Sequence, residues 1–232
     1  MSGTDISIAT PDGAMGGYLA SPSGGRGPGL VVIQEIFGVN KVMRDLADGF
    51  AARGYFALVP DLFWRIQPGV QLTDHSKAEW DQAFALMNKF DSDSGVKDIQ
   101  ASLAHLRGTS GCTGKVGDVG YCLGGLLAYL TATRTDSDAS VGYYGVNIQK
   151  FLGEAKSLKQ PLMLHIAGKD AFTPPEAQKQ IVEGLKGNSH VTIHTYPQMD
   201  HAFARVGGEH YDHASAELAN TRTGTFFRQH LS

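Results

Sequence analysis

The stretch Gly120-Tyr121-Cys122-Leu123-Gly124-Gly125 decides how this chain is read. Before it, Lys115 to Gly120 is short and β-branched; after it, Leu126 to Ala132 carries strong helix formers with apolar residues at helical spacing. A strand therefore turns sharply into a helix, with Cys122 at the apex. Gly120 and Gly124, two positions to either side, are what such a turn requires, because side chains there would collide across the junction. The pattern is the nucleophile elbow G-x-S-x-G with cysteine in place of serine. Its geometry aims Cys122 along a helix N-terminus, where backbone N–H groups and the positive end of the dipole favour a thiolate and a developing oxyanion. Taken alone, the motif leaves two readings open: a nucleophile, or a buried cysteine behaving as a small hydrophobe.

Outward from the elbow, strands and helices alternate. Thr4 to Thr10 and Gly16 to Ala20, joined through Pro11-Asp12-Gly13, predict a hairpin, and Ser21 to Gly29 a loop. Leu30 to Gln34 and Tyr55 to Pro60 are nearly all apolar, as expected of parallel strands buried on both faces. Between them Val42, Leu46 and Phe50 recur at four-residue spacing, and Gly54 supplies a stop. Two more helices show stripes of Trp80, Ala83, Phe84 and Met87, and of Val96, Ile99, Leu103 and Leu106, both read first as core. Beyond the elbow come strands at Ser140 to Tyr144, Pro161 to Ala167 and His190 to Tyr196. A helix capped by Thr173 with Glu176 three residues on, and a final helix from about Ala214 to Gln229, complete the pattern. Such alternation predicts an α/β chain with a mainly parallel, doubly wound sheet and helices on both faces, as one domain over residues 1–232.

Composition narrows the function. Hydrophobic residues make up 42% and charged residues 19%, which fits a globular protein and not a disordered one. A net charge of -3 gives no basic excess for nucleic acid or an anionic membrane. The first residues lack a charged and then apolar leader pattern, and no apolar run approaches bilayer length, so a cytoplasmic protein is expected. Cys112 and Cys122 are too few for a disulfide framework, and Cys112, in a turn before a strand, reads as structural. His210 and His213 have metal-compatible spacing but no third ligand nearby, so no metal is expected. The glycines of the Ser21 to Gly29 loop precede a strand, the reverse of the dinucleotide order, and no cofactor is expected. His165, inside an apolar strand, reads as a core histidine; Asp118, also within a strand, has no evident partner.

A free thiol with pKa about 8.5 is only a few per cent thiolate at neutral pH, so Cys122 needs a base, a positive field or both. In open α/β sheets ligands bind beyond the carboxyl ends of the strands, and three polar residues lie there. Asp170 follows the strand Pro161 to Ala167, and His201 follows the strand His190 to Tyr196. The order nucleophile, acid, histidine is that of the α/β-hydrolase triad, in which His201 would take the thiol proton and Asp170 would fix its tautomer. Glu35 ends the strand Leu30 to Gln34. In α/β-hydrolases that loop supplies the second oxyanion-hole N–H, expected here from Ile36 alongside that of Leu123. A carboxylate beside a thiol raises the thiol pKa, so Glu35 either restrains Cys122 or acts as its base; as an alternative it simply complements a helix N-terminus.

Five stretches then converge on one family. Gln34 to Asn40, Pro60-Asp61-Leu62, Gly120 to Gly125, Gly142-Tyr143-Tyr144-Gly145 and His201-Ala202-Phe203-Ala204-Arg205 resemble dienelactone hydrolase (carboxymethylenebutenolidase) over almost the whole chain. The resemblance implies an α/β-hydrolase fold and cofactor-free hydrolysis of an unsaturated, carboxylate-bearing lactone to maleylacetate through an acyl-enzyme. It implies Cys122 as nucleophile, His201 and Asp170 as its triad partners, and Glu35 as acceptor of the thiol proton when substrate arrives. Arg205 matches the arginine that pairs with that glutamate and with the substrate carboxylate, which would make the thiol reactive only once substrate competes for it. Two positions depart from the family. Trp80 stands where a second carboxylate-binding arginine is expected, and Phe84 where a tyrosine is. The first exchange removes a bidentate clamp and adds an aromatic wall.

Arg65, in the loop from Asp61 to Asp74, is the candidate for restoring the charge. Phe37 and Tyr144, inside the matched stretches, complete the expected substrate contacts. The expected partner is thus a small lactone or ester, bound by a monomer. A broader carboxylesterase, thioesterase or lactonase on the same triad is the alternative. A thiol redox or binding module is a third reading, which would not need Asp170 and His201 in triad order.

Overall fold

Gly13 sets where the N-terminal ladder closes. In the computed structural model, which describes residues 3–232, it has φ 142°, and strand β1 (Thr4–Thr10) runs antiparallel to β2 (Gly13–Ala20) with Thr10 opposite Gly13. The second strand therefore begins three residues before the expected Gly16. The chain forms two compact units, one ending at Gly117 and one beginning at Asp118.

In the first unit, β2 pairs antiparallel with β4 (Phe56–Pro60), which pairs parallel with β3 (Gly27–Ile33). Strand β4 is buried throughout, and the last five residues of β3 are too, as their unbroken apolar runs require. Strand β3 also starts early, inside the expected loop. A Cβ at Gly27 would lie 1.9 Å from the Gly54 carbonyl oxygen, so only glycine lets the chain pass this close. Helix α1 (Lys41–Ala52) is capped by Asn40, whose side chain accepts the Met43 N–H at 3.2 Å. Helix α2 (Lys77–Lys89) opens on Ser76, whose hydroxyl oxygen accepts the Glu79 N–H at 3.3 Å while its O–H donates to the Glu79 carboxylate at 2.9 Å. Its apolar stripe is core only in part. Ala83 and Leu86 are buried, whereas Phe84 is 37% exposed. Helix α3 (Ser92–Gly108) buries Val96, Ile99, Leu103 and Leu106, as their spacing predicts.

Strand β5 (Cys112–Tyr121) crosses the boundary between the units, and from Asp118 onward it belongs to the second. There it pairs parallel with β6 (Ser140–Tyr143), which is followed in the ladder by β7 (Leu162–Ala167) and β8 (Val191–Tyr196), all parallel. The strand is ten residues long and not six, so Cys112 begins it instead of sitting in the turn before. Helix α4 (Leu123–Arg134) is buried over every residue from Leu123 to Ala132, which explains an apolar content too high for a one-sided stripe. Helices α5 (Pro175–Leu185) and α6 (His213–Leu231) complete the unit, with a 3-10 segment over Ile148–Ser157 that no sequence period announces. Pro174, not Thr173, is the residue at the α5 N-cap, and it makes no side-chain cap bond. Thr173 is drawn away by Asp170, to which its N–H donates at 3.2 Å.

Candidate active site

The elbow is built by steric necessity. A Cβ at Gly120 would sit 1.8 Å from the Gly124 carbonyl oxygen, and one at Gly125 would sit 2.5 Å from that of Tyr143. Glycine at these points lets the first turn of α4 close on the ends of β5 and β6. Cys122 takes the strain: its φ is 57° and ψ -114°, outside the regions a side-chain-bearing residue ordinarily adopts. The conformation is held by three backbone bonds. Cys122 N–H donates to Tyr143 O at 3.1 Å, while Cys122 O accepts from Gly125 at 2.9 Å and Leu126 at 3.3 Å. Leu123 opens α4, so its N–H is one of the groups that the helix itself leaves over. The cysteine is 7% exposed.

Two loops of the same unit bring the acid and the histidine. Asp170, buried after β7, accepts the N–H groups of Phe172 (2.8 Å) and Thr173 (3.2 Å) on Oδ1. Its Oδ2 lies 2.8 Å from His201 Nδ1. With both oxygens engaged, the carboxylate is aimed, and it fixes the ring by accepting the Nδ1 proton. That leaves Nε2 facing the thiol. No hydrogen bond of full geometry forms at Nε2, which is buried, yet the sulfur is near enough to interact with the ring. Burial pushes the imidazole pKa down, but the electrostatic pull of Cys122, together with bonding to Asp170 and Cys122, outweighs this and raises it to about 10.

Aromatic rings fix the imidazole from two sides. Tyr144 meets it edge-on at 5.1 Å between centroids and Phe172 at 4.8 Å, while Phe203 packs against Tyr144 at 5.6 Å. Tyr144 and Ala202 have φ of 37° and 63°, so the strain of Cys122 is shared by residues adjoining the histidine. Arg205 is buried three residues beyond Ala202, and its N–H donates to the Ala202 carbonyl at 2.9 Å. Phe172, Phe203 and the Thr173 N–H are participants that the sequence did not single out; an aromatic two residues past the acid was the available signal.

In the first unit Glu35 and Ile36 follow β3 and are both buried, with the Glu35 carbonyl accepting from Gln34 Nε2 at 3.2 Å. Phe37, Trp80 and Phe84 come together: Phe37 meets Trp80 edge-on at 5.0 Å, and Phe84 stacks on it at 5.5 Å. Trp80 Nε1 donates to the Asp74 carbonyl at 3.0 Å, which fixes the indole within this wall. Arg65 is not a spare charge. Its guanidinium binds buried Asp98 through both amino groups, at 2.5 and 3.0 Å, reaches Asp12 at 2.6 Å and lies 4.3 Å from the Trp64 ring centroid.

Comparison with known proteins gives the family. A protein of Azospirillum brasilense that carries the name carboxymethylenebutenolidase provisionally is 53% identical over 98% of this chain and 99% of its own. The carboxymethylenebutenolidase of Pseudomonas putida is 39% identical over 94% and 92%. A crystal structure from Klebsiella pneumoniae, described provisionally as a dienelactone hydrolase, superposes with a TM-score of 0.88 at 26% identity and covers 98% of both chains. It gives this chain the α/β-hydrolase fold. The family model for the dienelactone hydrolase family matches residues 15–231. With that match and these identities, the chain belongs to the dienelactone hydrolase family and is a hydrolase.

Proposed function

We propose that the chain opens dienelactone to maleylacetate through a Cys122 acyl-enzyme, with His201 as proton carrier and Asp170 as its orienter. The observation that carries this is His201, buried with Asp170 at 2.8 Å on Nδ1 and the Cys122 sulfur as the electrostatic neighbour of the ring. The sulfur attacks the lactone carbonyl, and the resulting oxyanion is met by the Leu123 N–H at the start of α4. Collapse of the tetrahedral species breaks the ring C–O bond; the leaving enolate takes up the proton that the thiol released and becomes the ketone of the product. Water, deprotonated by His201, then cleaves the thioester and regenerates the thiol.

The resemblance extends the proposal to Glu35 as acceptor of the thiol proton, Ile36 as a further oxyanion donor and Arg205 as the group answering the substrate carboxylate. The test is turnover of cis- and trans-dienelactone by the purified protein beside Cys122→Ser and Cys122→Ala. Unchanged turnover by Cys122→Ala would sink the acyl-enzyme. The aromatic cluster of Phe37, Trp80 and Phe84 favours a second reading, a broader esterase with an apolar acyl site. A kcat/KM for p-nitrophenyl acetate well above that for dienelactone would establish it over the first.

A further inference from the structure

Away from Cys122, the second unit carries a groove of about 500 Å³, lined from β7, β8 and α6. Neither Cys122 nor His201 borders it. Its one permanently charged lining residue is Arg222, and no aspartate or glutamate lines it. Arg222 Nη1 donates to the Tyr196 hydroxyl at 3.2 Å, and the guanidinium lies 5.6 Å from that ring. No carboxylate pairs with it among the described residues. A guanidinium offers five N–H donors in a planar fork, and a half-buried one is ordinarily matched by an anion.

The surroundings specify what kind of anion. His194 is held below the usual histidine range by burial and then by the charge of Arg222, and His230 is held down by burial. Both imidazoles are therefore neutral beside the cation at neutral pH, able to accept or donate without adding charge. The histidines do not form a metal-binding group; none of three or more ligands occurs among the described residues. Met163 and Phe226 supply an apolar floor, and Thr192 and Thr225 bring hydroxyls. One cation set beside apolar surface suits a charged head on a carbon body better than a bare oxyanion.

We propose that this groove is a second binding site, for a small organic carboxylate whose head is clamped by Arg222 and whose body lies against Phe226 and Met163. The test uses the full-length protein with benzoate as probe, benzamide as its neutral counterpart and inorganic phosphate as a bare oxyanion. Binding is followed by NMR of the histidine ring protons, assigned through His194→Gln and His230→Gln. Benzoate should move the His194 and His230 signals saturably, and benzamide and phosphate should each bind at least about tenfold more weakly. Arg222→Gln should weaken benzoate by a similar factor, whereas Cys122→Ala should leave its affinity unchanged. If Arg222→Gln does not fold, Thr225→Phe, which fills the groove from an exposed position, should abolish the shifts.

Equal affinity for benzamide overturns the proposal, as does benzoate binding that survives both groove variants or moves only His201. Phosphate binding as tightly as benzoate overturns the organic class.

Discussion

His165 and His201 lie in the same unit, are both buried and behave in opposite ways. His165 places Nδ1 2.8 Å from the Tyr196 hydroxyl and Nε2 3.0 Å from the Thr223 hydroxyl, so neutral groups satisfy both nitrogens. Burial, followed by the charges of His194 and Arg222, holds its pKa well below the usual value. His201 has a carboxylate on one nitrogen and a thiol near the other, and its pKa rises to about 10 in spite of burial. Burial alone therefore does not decide whether a histidine charges inside this protein. The charge of the partner does, and His201, the proposed proton carrier, is the one whose cationic form has been provided for.

Removing the thiol breaks the contrast most completely. On the proposed acyl-enzyme route, Cys122→Ala should lower kcat by roughly 10⁴-fold or more, since triad residues act as a unit. The same change removes the largest of the influences that raise the His201 pKa, which should fall towards that of an ordinary histidine, as an NMR titration would show. Stability then responds in a defined direction. A histidine whose folded pKa exceeds its unfolded value of about 6.5 stabilises fully below that pH, and the contribution is lost as pH rises through the folded value. Wild-type stability from His201 should therefore decline between about pH 6.5 and 10, and urea midpoints of Cys122→Ala should decline less over that interval. Parallel declines in the two proteins would remove Cys122 as the cause of the raised His201 pKa.

Asp170→Asn comes next. The amide can still sit near Nδ1, but it no longer stabilises the imidazolium or enforces the tautomer, so kcat should fall by about 10³ to 10⁴. The His201 pKa should also drop, by less than in Cys122→Ala, because the Asp170 influences rank behind the charge of Cys122. A loss confined to KM would contradict this role.

His165→Leu sharpens the other side of the comparison. It removes two hydrogen bonds while Tyr196 keeps Arg222 and Thr223 keeps Tyr143, so a cost of about 1–3 kcal/mol is expected with kcat little changed. For a histidine whose folded pKa is depressed, the sign reverses: stability is present above the unfolded pKa and is lost as pH falls below it. The fall in stability between pH 7 and 5 should be shallower in this variant than in wild type. An unchanged acid limb, measured by urea unfolding, would assign that limb to other groups such as His194 and His230.

The contrast also marks what a linear sequence can convey. The alternation of strands and helices, the glycines around Cys122 and the places of Asp170 and His201 after strands were legible, because each depends on local spacing. The early starts of β2 and β3 were not, since they depend on where Gly13 and Gly27 meet the rest of the chain. Arg65 looked available because Asp98 lies 33 residues away and reaches it only on folding. Asp118, without a visible partner in sequence, accepts from Ser137 at 2.7 Å and Ser140 at 2.6 Å; burial still pushes its pKa up to about 7. His165 could be read as a core residue, but its two hydroxyl partners stand 31 and 58 positions further on.

The smallest expected effect concerns what surrounds His201 and not what it bonds to. Phe172 is 49% exposed, and its edge contact with the imidazole is at 4.8 Å. Its backbone N–H, which also holds Asp170, survives substitution of the side chain. Phe172→Ala therefore removes the ring alone. Aromatic pairs of this kind contribute about 0.5–1.5 kcal/mol, so kcat/KM should fall roughly 2- to 12-fold if the contact orients the imidazole. Stability should change by less than about 0.5 kcal/mol, because a half-exposed side chain leaves little cavity. Phe172→Tyr, which preserves the edge contact, should restore most of the activity. A loss as large as that of Asp170→Asn would mean that the ring supports the acid as well, and no loss at all would confine the orientation of His201 to Asp170 and Tyr144.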